Sequence, residues 1–189
     1  KASAKGVKFI NVSPLKSDLE IARNVEWVSL KPNTDVALIL SLCYEINKAK
    51  ATKRDFIDKY TVGFEQFSAY LNGHTDGVVK NADWASEITG ISREAIFDLV
   101  RKIKNSKTTM ISVSWSLTRQ SHGEQPYWAA IALACIIGDL GKPGGGIGFG
   151  YSAMNSIGNH YKKIPAVSMP QGRNNVKKFI PVARISEML

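Results

Sequence analysis

The stretch Thr108–Gly141, "TTMISVSWSLTRQSHGEQPYWAAIALACIIGDLG", decides the fold. It opens on a short apolar run, "TTMISVSW", whose β-branched residues predict a strand over 108–113. It closes on a long apolar segment that reads as a helix over 122–140. Ser121 and Glu124 have the spacing of a capping box at its start, and Gly141 stands where a C-cap is expected. A strand feeding directly into a helix is the unit of parallel α/β folds. Between the two lie Trp115, Ser116 and Arg119. In parallel sheets the carboxyl ends of the strands are where ligands bind. A helix start beyond such an end offers free N–H groups and about half a positive charge to an anion. The plain alternative is a structural loop, with Arg119 paired to an acid and Trp115 filling the core.

Working outward, "GVKFINVSP" predicts a strand over 7–12 that ends at Ser13-Pro14, and "VEWVSL" predicts another before Pro32. "NTDVALILSLCYEINKAK" reads as a helix over 35–48, with Asn33 or Thr34 as cap and Asp35 favoured by the positive helix end. That electrostatic role suffices to explain Asp35. A carboxylate near a strand end can also accept hydrogen bonds from a ribose or a base edge. "TKRDFIDKYT", "GFEQFSAYL", "NADWASEITG" and "SREAIFDLVRKIKNS" follow as four amphipathic helices, the last capped by Ser92. "PGGGIGFG" at 143–150 reads as an irregular reversal. It follows a helix, so it lacks the strand–loop context of a phosphate cradle. Apolar strands interleaved with helices give an α/β class, a parallel sheet flanked by helices. The strands over 7–12 and 108–113 are expected in one sheet, with helices 35–48 and 122–140 packed on it. Three visible strands are few for a doubly wound domain, so the fold is expected to be incomplete at both ends. Residues 1–150 form the α/β domain in this reading, and 151–189 an irregular connection.

Composition narrows the function. The chain has 189 residues and a formal net charge of +9. The lysines and arginines are scattered over helix faces and loop ends, without a nucleic-acid-binding motif, so no nucleic-acid partner is expected. No apolar run is long enough for a membrane span. The two cysteines, Cys43 and Cys135, sit in apolar helical contexts as small core residues. The histidines are dispersed, and no metal-ligand spacing occurs.

The segments "TMISVSWSLTRQSHGEQPYWAAIALACIIGDLGKPGGGIGFGY", "KPNTDVALILSLCYEI", "RDFIDKYTVGFEQFSAYLNGHTDG" and "DWASEITGISREAIFDLVRKI" resemble the third, Rossmann-like domain of molybdopterin oxidoreductases of the dimethyl sulfoxide reductase family. The tail "MPQGRNNVKKFIPVARISEML" resembles most the biotin sulfoxide and trimethylamine N-oxide reductase branch. The resemblance is collinear over nearly the whole chain. It implies two molybdopterin guanine dinucleotides around one molybdenum, one of them held by this domain. The positions that match the family's cofactor contacts are Ser13 and Pro14; Asn33, Thr34 and Asp35 at the guanosine end; and Trp115, Ser116 and Arg119 at the phosphate and pterin portion. The resemblance leaves the metal-ligating serine and the substrate funnel outside these residues. No catalytic or metal-ligating residue is therefore assigned, and the chain alone is expected to be inactive and metal-free. The implied parent is a periplasmic S-oxide or N-oxide reductase, with a cytoplasmic location as the alternative. Its partners would be the other domains of its polypeptide and a cytochrome electron donor. The rival reading is a noncatalytic α/β scaffold that binds no cofactor.

Overall fold

The structure is a computed structural model. It describes residues 2–19, 25–149, 169, 170, 172, 173 and 175, and the elements below lie within the unit Lys1–Tyr151. The connection expected over 151–189 falls almost wholly outside the described residues.

The chain is α/β. The strands β1 (Ile10–Val12) and β2 (Glu26–Val28) form one parallel pair, with Val12 opposite Val28. Six helices follow in two groups. The first five are α1 (Asp35–Lys48), α2 (Arg54–Tyr60), α3 (Phe64–Leu71), α4 (Ala82–Thr89) and α5 (Arg93–Asn105). Then β3 (Met110–Val113), α6 (Gln125–Ile137) and β4 (Gly146–Phe149) make a strand–helix–strand unit, with β3 and β4 parallel and Val113 opposite Phe149.

Two expectations are corrected here. The strands over 7–12 and 108–113 do not share a sheet: β1 pairs with β2 and β3 with β4, in two separate two-stranded sheets. The partner of β3 is instead "GIGF", within the glycine run read as irregular. A helix-length crossover is what a parallel partner requires, and α6 supplies it. Likewise α1 lies among helices, against α3, α4, α5 and α6, while α6 is the helix packed on β3 and β4.

Local chemistry fixes several helix ends. The Ser92 hydroxyl oxygen accepts from the Ala95 N–H at 3.2 Å and caps α5. Asn81 caps α4 in the same way through the Trp84 N–H at 2.9 Å. Helix α6 ends at Gly138, not Gly141. Gly138 takes the left-handed φ of 72° that favours glycine, and a Cβ there would lie 2.6 Å from the Lys53 Cβ.

The core is centred on α1, which buries Leu38, Leu40, Leu42, Cys43 and Ile46 against residues such as Leu71, Ile96, Leu99, Leu133 and Ile136. Each fully buried aliphatic side chain contributes about 1.5–3 kcal/mol. Burial pushes the Cys43 thiol up, and both cysteines are free. Buried polar groups are paired. A Glu45 carboxylate oxygen accepts from the Ala82 N–H at 3.0 Å, tying α1 to the start of α4. Asp139 accepts from the Thr109 N–H at 2.8 Å and pairs with Lys142 at 2.8 Å, fixing the entry of β3 beside the turn into β4. Lys80, 2 % exposed, donates to Asp76 and the Val78 carbonyl beneath the rings of Tyr70 and Trp84.

Candidate functional site

The segment after β3 turns sharply because its own hydroxyls bond its backbone. Ser114 Oγ accepts from the Ser116 N–H at 3.3 Å, and the Thr118 hydroxyl donates to the Trp115 carbonyl at 2.8 Å. These bonds close a 3-10 turn over Trp115–Thr118. The Arg119 N–H donates to the Ser116 carbonyl at 3.0 Å, and the Gln120 side-chain amide to the Leu117 carbonyl at 2.9 Å. His122 then adopts a positive φ of 56°, and Gly123 is buried.

The capping box expected from Ser121 and Glu124 is not formed. Residues 121–124 are a turn, and α6 begins at Gln125 without a side-chain cap. Pro126 stands in its first turn, where a missing N–H costs nothing. The Gln125 N–H donates back to the His122 carbonyl at 3.0 Å. The Gln125 N–H, the first of the helix, is thereby turned back onto the preceding turn.

A cleft of about 520 Å³ opens at this carboxyl edge of the β3–β4 pair. Trp115, Thr118 and Arg119 line it from the turn, Glu124, Tyr127 and Trp128 from the start of α6, and Phe149 from the end of β4. The Tyr127 and Phe149 rings meet edge to face, with centroids 5.7 Å apart. Trp115 is 41 % exposed and Trp128 is 62 % exposed, so neither ring is core filling. Arg119 is exposed, and its guanidinium pairs with no described residue. Among the described residues Arg119 thus stands in no ion pair. Glu124 brings the opposite charge into the cleft, its carboxylate 3.9 Å from His122 Nδ1. An aromatic cleft bearing one cation and one anion suits a flat, polar heterocycle.

Of the sequence candidates, the cleft gathers Trp115 and Arg119. Ser116 lies in the same turn, its hydroxyl oxygen 2.9 Å from that of Ser114. The other five follow the carboxyl ends of the β1–β2 pair. Ser13 is buried: its N–H donates to the Val28 carbonyl at 3.2 Å, its carbonyl accepts from the Trp27 indole N–H at 2.9 Å, and its Oγ accepts from the Leu15 N–H. Pro14 is exposed beside it. Asn33, at φ 63°, is exposed. The Thr34 hydroxyl donates to the Lys31 carbonyl at 2.6 Å rather than capping α1. Asp35 is half-buried, and that burial holds its carboxyl above the usual aspartate range, opposed by a hydrogen bond from its own backbone N–H. Sequence reasoning missed Thr118, Tyr127, Trp128 and Phe149 as cleft residues, and placed Glu124 there only as part of the helix start at 122–124. The aromatic pair "YW" in the first turn of an apolar helix was the available signal.

The fold and the edge cleft define a parallel α/β domain of the class that receives ligands at the carboxyl ends of its strands. The chain belongs to the molybdopterin oxidoreductase family, whose model (Molybdopterin oxidoreductase) matches residues 1–187. Among curated relatives it is 46 % identical to the biotin sulfoxide reductase of Cereibacter sphaeroides, over 98 % of this chain and 25 % of that protein. It is 37 % identical to the dimethyl sulfoxide/trimethylamine N-oxide reductase of Rhodobacter capsulatus, over 98 % and 24 %. It is 35 % identical to the trimethylamine-N-oxide reductase of Haemophilus influenzae, over 100 % and 24 %. The chain thus spans about a quarter of the length of these relatives. In fold it is similar to the acetylene hydratase of Pelobacter acetylenicus, with a TM-score of 0.62 and 23 % identity over 76 % of this chain and 19 % of that one.

Proposed function

We propose that this chain is a cofactor-binding domain of a molybdenum-dependent S-oxide or N-oxide reductase, and that it holds part of a molybdopterin guanine dinucleotide. The observation that carries the reading is the guanidinium of Arg119, which pairs with no described residue, among exposed aromatic rings at a sheet's carboxyl edge. The donor set fits such a group. Rings accept a planar pterin, and a guanidinium offers a planar fork to phosphate oxygens. In this reading Trp115 and Tyr127 flank the pterin portion, and Arg119 takes the phosphates. Asn33, Thr34 and Asp35 read the guanine edge beyond the other strand pair, with Ser13 and Pro14 beside them. Bound there, the cofactor supplies the two-electron chemistry by which an S-oxide or N-oxide loses its oxygen atom. The work of the residues named here is to bind and orient it. The parent enzyme is assigned to the periplasm and anaerobic respiration, with a cytochrome as electron donor and the remaining domains of its polypeptide completing the site.

Pterin analysis of the full-length protein, produced in a host that makes the cofactor, tests the reading. The expected result is stoichiometric pterin in the wild type and its loss in Arg119→Ala. A pterin-free wild type would leave the chain a scaffold.

A further inference from the structure

We infer that Tyr127 is a positioning residue for this cleft: through its hydroxyl it latches the turn carrying Trp115 and Arg119. This rests on the reading of the cleft as a cofactor site. The Tyr127 hydroxyl donates to the Ser114 carbonyl at 2.8 Å. Within Ser114–Gly123 the other side-chain hydrogen bonds among the described residues are internal to that segment. The phenol is thus the side-chain bond that ties the turn to α6. The same carbonyl accepts the Leu117 N–H at the longer distance of 3.3 Å, so the phenol is its closer partner. Meanwhile the Tyr127 ring sits edge-on to Phe149, the residue opposite Val113 in the strand register. One side chain therefore reaches both strand ends, by hydrogen bond to Ser114 just beyond β3 and by ring contact with Phe149 at the end of β4. A residue needed only to fill space would require the ring and not the hydroxyl.

Tyr127→Phe keeps the ring and removes the latch, and Phe149→Leu removes the edge contact and keeps the latch. Hydrogen exchange read by mass spectrometry or NMR should show segment 115–120 exchanging roughly two- to tenfold faster in Tyr127→Phe, with α1 and α5 unchanged. Phe149→Leu should leave that segment near wild type. In the full-length protein Tyr127→Phe should retain less pterin than the wild type, because the latch it removes holds the turn that carries Trp115 and Arg119. Unchanged exchange in Tyr127→Phe, or faster exchange spread evenly over α1 and α5, would overturn the inference. A pterin-free wild type would instead defeat the cofactor reading, and the exchange data would still decide the latch.

Discussion

Gly123 lies so close to Thr118 that a Cβ on residue 123 would stand 2.1 Å from the Thr118 carbonyl oxygen. The obstacle is backbone, not the end of a flexible side chain, and it cannot swing aside. Gly123→Ala should therefore force the turn after β3 apart and cost about 1–3 kcal/mol, the usual range for overpacking. A thermal melt of the variant would test it, with an unchanged midpoint as the contrary result.

Arg119 separates binding from folding. Its guanidinium supports no described residue, so Arg119→Ala should change stability by less than about 0.5 kcal/mol, as for an uninvolved surface site. Pterin retention should nevertheless fall. Arg119→Lys should fall between, because an ammonium keeps the charge and loses the planar fork. Parallel melts and pterin assays of the two variants would test the separation. A large loss of stability in Arg119→Ala would return Arg119 to a structural role.

How much of this was legible in the sequence depends on whether the signal was local. Helix α1 lies at the expected 35–48 because its apolar spacing and flanking residues sit within a few turns. The Ser92 cap of α5 was equally local. The start of α6 was misread because Ser121 and Glu124 satisfy a pattern that the positive φ at His122 and the buried Gly123 prevent from forming. Strand pairing was misread for a different reason. Segments of three or four residues carry no record of their partner, and β4 hides its burial in Gly146 and Gly148, which have no side chain to show it. Trp115 and Arg119 were legible from their place after a strand. Phe149 was not, because its strand was not.

Asp35 sets a pH dependence of definite sign. Burial raises its folded pKa above the ordinary 3.8, so on raising pH the unfolded chain gives up this proton first. The folded form then loses stability relative to the unfolded one as pH climbs through the window just above 3.8. Asp35→Asn should abolish that component while lowering pterin retention through the lost carboxylate. Acid-range melts of wild type and variant would show a component that persists if Asp35 is not its source.

Lys80 and Asp76 act in the opposite sense. The hydrogen bond from Lys80 holds the Asp76 carboxyl below the usual range, so this contribution is present above pH 3.8 and fades as pH falls through the lowered pKa. At neutral pH, Asp76→Ala leaves a buried ammonium without its carboxylate, whereas Lys80→Met replaces that ammonium with an apolar chain. Asp76→Ala should be the more destabilising of the two. Denaturant midpoints in the reverse order would refute the pairing as described.

The central place of α1 also matters while the chain is being made. It packs against α3, α4 and α5, which leave the ribosome soon after it. Its contacts with α6 wait for a helix synthesised after all of them. Until α6 emerges, the part of α1 that it covers has no partner within the nascent domain. A nascent chain that has cleared the ribosome only as far as the turn after β3 would therefore hold out a nearly finished helical cluster with a greasy open side. That is the interval in which a chaperone, or an unwanted neighbour, would find its best purchase.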